Sequence, residues 1–307
     1  MQESFSTVGI VGRSEQRGIS DVLGQLLPLL AARDLEVLLE DNLQTLVNGH
    51  GCRIATRDEI GDAADLVIVV GGDGSLLSAA RTLAKYDTPV LGVNRGRLGF
   101  LTDITTDEIE QQVPAVLAGE YVAEQRFLLD ATLRRDGQVV GRADALNDVV
   151  VNSGTSAQMI ELELTIDDAF VYRQRADGLI VSTPTGSTAY SLSCGGPIIH
   201  PDSNAIVLNP IAPHNLYDRP VVIPLEGTLE IEAEGRDDHL MLTMDTRSYK
   251  VAAPAKFAVR PAERPFLLVQ LPGVDFIETV RRKLHLGLDA REGHSMDGGQ
   301  ETGGNLR

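Results

Sequence analysis

The sequence predicts two domains in one chain: an α/β domain with a parallel sheet and flanking helices, followed by a β-rich domain. Three observations carry this expectation. Short apolar runs alternate with helix-periodic stretches up to about residue 120. From Tyr121 onward short runs with β alternation and turn signals take over. A length of 307 residues, 43% of them hydrophobic, suffices for two cores. The expected boundaries are 1–120 for the α/β domain, 121–274 for the β-rich domain, 275–286 for a C-terminal helix returning to the first domain, and 287–307 for a tail.

In chain order, Thr7–Gly12 reads as the first strand, and leucines at helical spacing place a helix over Ile19–Arg33. Further strands are expected at Val37–Glu40, Cys52–Ala55, Leu66–Val70 and Pro89–Val93, with helices at Ser75–Tyr86 and Thr106–Leu117. Leu66–Val70 is continuously apolar, the mark of a strand covered on both faces. The β-rich part opens with Phe127–Arg135, Val139–Ala143, Ala145–Asn152, Met159–Ile166 and Ala169–Arg175; Asp136-Gly137 between the first two signals a hairpin. It continues with Leu179–Ser182, Ala205–Asn209, Pro220–Ile223, Thr228–Ala233, Leu240–Thr243 and Phe257–Val259. Asp275–Leu284 reads as a helix, and the polar segment from Gly287 onward as a disordered tail.

Charge and composition narrow the function classes. A net charge of −17 argues against a nucleic-acid partner and against anionic membrane surfaces. No apolar run approaches the ~20 residues of a membrane span, and the N-terminus has no signal-like segment, so a cytoplasmic location is expected. Cys52 and Cys194 form neither a metal pattern nor a disulfide framework, and are expected as small buried hydrophobes.

The chemistry starts at Gly71-Gly72-Asp73-Gly74, directly behind the Leu66–Val70 run. Ligand crevices in open α/β sheets lie beyond the carboxyl ends of strands, glycines let a ligand approach the main chain, and Ser75 is placed to cap the following helix. Free N–H groups there favour phosphate. The spacing matches neither the dinucleotide fingerprint nor the P-loop, and the turn holds no lysine. A carboxylate beside phosphates makes sense if it takes a proton from an attacking hydroxyl or holds Mg²⁺; a solvated turn aspartate is the bland alternative.

Four further stretches bear on the choice. Gly92–Leu101 puts glycines and two arginines, Arg95 and Arg97, behind the next strand. Asn147-Asp148 sets an amide beside a carboxylate inside a strand pattern, a pair matched to adjacent ribose hydroxyls. Asp177–Pro197 packs seven Ser/Thr hydroxyls and four glycines into twenty-one residues, a poor core and a polar cradle for a nucleotide. Pro210–His214, with Arg219-Pro220, is a proline-stiffened loop.

Together, Gly71–Ser75, Asn94–Asp103, Asn147-Asp148, Asp177–Pro197 and Pro213-His214 resemble the bacterial NAD kinase family, from about Val8 to Leu284. The turn alone is shared with phosphofructokinases and diacylglycerol-type lipid kinases; the Asp177–Pro197 block with Asn147-Asp148 is specific. The resemblance implies an N-terminal α/β domain, a C-terminal β-rich domain, and NAD between them. It implies transfer of phosphate from ATP, with a divalent metal (Mg²⁺), to the 2′-hydroxyl of the adenosine ribose of NAD, giving NADP, in a homodimer or homotetramer. Matched residue by residue, Asp73 would be the proton acceptor and, with Gly74, would line the NAD site. Asn147 and Asp148 would hold NAD, Arg175 and Asp177 would line its site, and Thr188, Ala189, Tyr190, Ser191, Leu192 and Ser193 would contact the nucleotide. Many members carry Glu at the position of Asp148. Gln158 stands where many have Arg or His, Arg247 where many have Gln, and Cys194 where Ala is commoner; no role is carried over to Gln158 or Arg247. The competing readings are a lipid or sugar kinase sharing the turn, and a non-catalytic NAD(P) sensor.

Overall fold

The structure, a computed structural model, describes residues 5–15, 18–47, 51–96, 99–135, 138–154, 158–224 and 226–286. The apolar runs of the first third become parallel strands: β1 (Thr7–Gly12), β2 (Glu36–Glu40), β3 (Arg53–Ala55), β4 (Leu66–Val70), β5 (Val90–Asn94) and the short β6 (Ile104–Thr105). Between them run α1 (Ile19–Ala31), α2 (Arg57–Ala63) and α3 (Asp73–Leu83), and α4 (Ile109–Leu117) follows. Alternation along β4 sorts the faces. Leu66, Ile68 and Val70 pack with α1 and α4, whereas Val67 and Val69 pack with α2 and α3. All five β4 residues are buried, as a strand covered on both faces requires.

The strand order β3-β2-β1-β4-β5 reverses its direction of growth between β1 and β4. Such a switch point opens a crevice at the carboxyl ends of the two strands. Gly12 is in register with Val70, so Arg13 follows β1 beside the turn that follows β4.

The rest of the chain is antiparallel. One six-stranded sheet contains β10 (Asp148–Asn152), β13 (Gly178–Ser182), β14 (Ile206–Ile211), β15 (Val221–Ile223), β17 (His239–Met244) and β18 (Arg247–Ala252), in the order β15-β14-β13-β10-β17-β18. The other contains β8 (Leu129–Arg135), β9 (Gln138–Ala145), β11 (Ile160–Ile166), β12 (Ala169–Ala176), β16 (Leu229–Glu234) and β19 (Ala255–Pro261). Val149, Val151, Leu179 and Leu242 of the first pack with Leu162, Leu164, Ile231 and Phe257 of the second in one core, so the two form a sandwich.

Several expectations shift. α3 begins at Asp73 rather than Ser75, with extended Gly72 as its N-cap and no side-chain cap bond; Ser75 is buried inside the first turn. The expected strand Ala145–Asn152 is two strands, because the chain crosses from one sheet of the sandwich to the other at Leu146-Asn147. α2 was not expected; Thr56 and Glu59 close a capping box that starts it. β7 (Val122–Arg126) and β20 (Phe266–Gln270), both inside 121–274, are hydrogen-bonded into the parallel sheet, where β20 lies between β5 and β7. Strand propensity is local, whereas the sheet that a strand joins is not.

β8 and β9 pair as a hairpin with Arg135 opposite Gln138, and the expected Asp136-Gly137 turn lies outside the described residues, as do Arg97 and the expected tail. The segment after Pro272 is a separate unit carrying one further helix over Phe276–Leu284, capped by Asp275, whose carboxylate accepts the Glu278 N–H at 2.8 Å. Among the described residues no helix is long and apolar enough to cross a membrane.

Candidate active site

Asp73 stands at the first turn of α3, where the unpaired N–H groups and the helix dipole favour a carboxylate. Its side chain is already held. Oδ2 accepts the Phe100 N–H at 2.9 Å and Oδ1 accepts the Leu101 N–H at 3.2 Å. The loop behind β5 that supplies these donors is itself braced: Thr102 Oγ1 accepts from Asn94 Nδ2 and from Gly99 N, both at 3.0 Å. It passes so close that a Cβ on Gly99 would fall 1.8 Å from Asp73 Oδ1. A Cβ on Gly74 would meet nothing within 4 Å, so the other side of the turn is open. Gly72, Asp73, Asn94, Arg95, Gly96 and Gly99 line a cavity of about 340 Å³. Arg13 reaches in from β1, donating from Nη2 to the Gly74 carbonyl at 3.3 Å. The cation missing from the turn itself is therefore supplied by the neighbouring strand, a position that only the β1–β4 register reveals.

A second cavity, of about 260 Å³, lies along the same helix and is lined by Leu77, Asn147, Asp148, Val150, Asn152, Ala189, Tyr190, Thr243 and Asp245. Leu77 is one helical turn beyond Asp73, and such i, i+4 pairs have Cβ atoms only about 5–6 Å apart. Strand alternation aims the rest: Val149 and Val151 enter the sandwich core, leaving Asp148, Val150 and Asn152 on the outer face. Asp148 is only 5% exposed. Burial, reinforced by the Asp245 carboxylate, pushes its carboxyl up to about 7. Asn147 Oδ1 is buried and has no hydrogen-bond partner, so it is an acceptor available to a ligand donor.

Within the hydroxyl-rich stretch, many side-chain oxygens bond nearby backbone. Thr183 Oγ1 donates to the Leu146 carbonyl at 2.6 Å and accepts from Gly186 N at 3.0 Å. Ser187 Oγ donates to the Pro184 carbonyl at 2.6 Å and accepts from Ile199 N at 2.9 Å. Thr188 Oγ1 donates to the Thr185 carbonyl at 3.2 Å, and Ser191, fully buried, accepts Asn209 Nδ2 at its carbonyl at 2.8 Å. Much of the hydroxyl run thus satisfies its own buried backbone. What it shapes is the wall: Gly186 lies against the Asn147 carbonyl, which a Cβ would approach to 2.1 Å.

The structure therefore gathers Asn147, Asp148, Ala189 and Tyr190 around one cavity and Asp73 at the next. Gly74 is exposed beside Asp73, while Thr188, Ser191, Leu192 and Ser193 belong to the wall segment without lining either cavity. Arg175 is exposed on β12, with its carbonyl accepting the His214 N–H at 2.8 Å, and Asp177 N donates to the Ile211 carbonyl at 2.9 Å; neither residue lines these cavities. Gln158 precedes β11 and Arg247 opens β18. Asp245 lines the second cavity and was not singled out by sequence; its only signal is a short polar break, Asp245-Thr246, between two strands. A larger cavity of about 760 Å³ includes Ser6, Asp65 and Pro89, which precede β1, β4 and β5. It therefore lies at the amino ends of the strands, away from the switch-point crevice.

Comparison with known proteins identifies the family of the chain. The model of the ATP-NAD kinase N-terminal domain matches residues 8–121, and that of the ATP-NAD kinase C-terminal domain matches residues 146–271. Curated relatives include the NAD kinase of Teredinibacter turnerae, 48% identical over 284 residues, covering 92% of this chain and 97% of that protein. The NAD kinase of Alcanivorax borkumensis is 48% identical over 293 residues, covering 95% and 97%. Among solved structures, a yeast NADH kinase complexed with NADH shares the fold at a TM-score of 0.86 and 24% identity, covering 94% of this chain and 90% of its own. An NAD kinase from Archaeoglobus fulgidus in complex with ATP has a TM-score of 0.70 at 25% identity, covering 91% and 98%. With both domain models matched across most of its length and relatives near half-identical over nine-tenths of it, the chain belongs to the NAD kinase family.

Proposed function

We propose that the protein transfers the terminal phosphate of ATP to the 2′-hydroxyl of the adenosine ribose of NAD, with Asp73 accepting the hydroxyl proton. The observation that carries this reading is the placement of two cavities along one helix, with Asp73 at its head and Leu77 one turn on. In this reading the dinucleotide occupies the cavity of Asn147, Asp148, Ala189 and Tyr190, and Gly74 leaves room for its ribose at the turn. Asn147 Oδ1 and the Asp148 carboxylate accept from ribose hydroxyls. Arg175, Asp177 and the Thr188–Ser193 segment extend the NAD site. The donor phosphates meet the first turn of α3, Arg13 and Arg95.

An alcohol is a poor nucleophile, and a fixed carboxylate that takes its proton as the P–O bond forms contributes about 10²–10⁴-fold. Alignment and charge neutralisation supply the rest of the acceleration. The two N–H donors on Asp73 fix its orientation, leaving the remaining lone pairs for the substrate hydroxyl.

The donor set suits a divalent cation that arrives with the nucleotide. Among the described residues no three His, Cys, Asp or Glu side chains gather to hold a metal, and Asp73 is the one carboxylate lining its cavity. Mg²⁺ ordinarily takes one or two carboxylates, phosphate oxygens and water, and with Asp73 engaged by the hydroxyl the nucleotide phosphates and water would hold it. When bound, the cation supplies charge neutralisation at the transferred phosphoryl group.

Cytoplasmic location and a homodimer or homotetramer complete the reading. Leu216 and Tyr217, 82% and 89% exposed, lie just before the edge strand β15, where another copy could cover them. The test is incubation with ATP and Mg²⁺ plus NAD, diacylglycerol or fructose 6-phosphate in parallel. NADP formation is expected; phosphorylation of only the lipid or the sugar, or NAD binding without turnover, refutes the assignment.

A further inference from the structure

We propose that Asp245 is a positioning residue for the dinucleotide: it clamps the backbone that presents Asn147 and Asp148, and it brings a second carboxylate to bear on Asp148 in the same cavity. This rests on the reading of Asn147 and Asp148 as dinucleotide contacts.

Asp245 sits in the two-residue turn between β17 and β18, where Met244 pairs with Arg247. Its φ of 50° is left-handed, a conformation that Asp tolerates and tight hairpin turns require. From there its carboxylate reaches the chain crossing between the sandwich sheets. Oδ2 accepts Leu146 N at 3.0 Å, and Oδ1 accepts Asn147 N at 2.8 Å and Asp148 N at 3.3 Å. In return Asp245 N donates to the Asp148 carbonyl at 3.0 Å. These four bonds join the hairpin to the three residues that carry the amide–carboxylate pair. Leu146 is thereby seated in the core on the α3 side of the parallel sheet, while Asn147 and Asp148 turn into the cavity.

The same contact places two carboxylates at one cavity. Three backbone donors satisfy the charged form of Asp245, and Arg81 on α3 adds an attractive charge, although burial still raises its carboxyl. Among the described residues no hydrogen-bond donor reaches the Asp148 carboxyl; what surrounds it is burial and Asp245, and its charge is also felt by the Tyr190 phenol and the Cys194 thiol. Arg247, the next charge along the hairpin, faces Arg81. Burial and the Asp245 charge push the Asp148 carboxyl up to about 7, while the backbone donors and Arg81 favour the ionised form of Asp245. An ionised Asp148 accepts from two ribose hydroxyls and a protonated one from fewer, so dinucleotide affinity falls as the pH drops through that value.

The test is calorimetric titration with NAD from about pH 5.5 to 8.5, on wild type, Asp245→Asn, Asp245→Glu and Asp148→Asn, with KM for ATP measured alongside. Wild type is expected to lose affinity with a midpoint near 7, and Asp148→Asn to show no such midpoint. Asp245→Asn preserves the side-chain shape but removes the charge, so its midpoint moves acidward by about one unit or more. Asp245→Glu retains the charge but displaces the clamp: the midpoint stays while affinity drops about ten-fold at every pH. KM for ATP changes little in all three variants. A midpoint that does not move in Asp245→Asn overturns the inference, even if that variant is less stable. Should Asp245→Asn fail to fold, ¹³C titration of wild-type carboxyls decides, with Asp148→Asn as the assignment control: an Asp245 signal that shifts at the Asp148 midpoint upholds the pairing, and one that does not respond there overturns it. Wild type that binds no NAD at any pH would instead count against the parent assignment.

Discussion

Asp73 has two roles that substitution can separate, since its oxygens both orient the Phe100–Leu101 loop and face the open side of the turn. In Asp73→Asn the amide retains one acceptor but offers no base. Turnover is expected to fall by about 10²–10⁴-fold while NAD affinity stays within a few-fold, as measured by NADP formation beside calorimetry. Gly99→Ala tests the loop from the other side. Its Cβ would meet Asp73 Oδ1 at 1.8 Å, so loop or carboxylate must shift. A displacement of about 1 Å at the reacting group costs on the order of 10²-fold, so kcat is expected to drop far more than the melting temperature. At this scale much was legible: Asp73, Asn147 and Asp148 are polar residues breaking apolar runs, and each lines a cavity. Asp245 and Arg13 were not, because their significance lies in what they touch. Each bonds to backbone far away in sequence, Asp245 to Leu146–Asp148 and Arg13 to Gly74.

Among the elements, α2 shows how far local signals reach. Thr56 Oγ1 accepts the Glu59 N–H, and the Glu59 carboxylate accepts the Thr56 N–H at 2.7 Å. The capping box is present in the sequence, but the helix it starts is only seven residues long, too short to leave a clear period. Thr56→Ala is expected to lower stability by about 1 kcal/mol in denaturant titrations and leave NADP formation unchanged, since α2 lines neither site cavity. The early start of α3 has the opposite lesson. Ser75 has the chemistry of a cap, yet the chain spends that position on burial and gives the helix N-terminus to Asp73.

Across the whole molecule, 44 acidic residues against 27 basic ones give a charge that repels itself in the folded state. Raising NaCl from about 0.01 M to about 0.5 M shortens the Debye length from ~30 Å to under ~10 Å, and the melting temperature is expected to rise accordingly. A flat or falling profile would show that local ion pairs, such as Asp130 with Arg142 and Arg260, outweigh the net repulsion. The sequence by itself determined the alternation of strands and helices, the change to β structure near Tyr121, and the apolar strand ending in a bare glycine–aspartate turn, because these are periodic or contiguous properties of neighbouring residues. Only the tertiary structure decided that β7 and β20 join the parallel sheet, that the hydroxyl run mostly bonds its own backbone, and that α3 spans both cavities. Those outcomes depend on which distant backbone groups a segment meets, and hydrogen bonding and burial are settled between partners rather than within a segment.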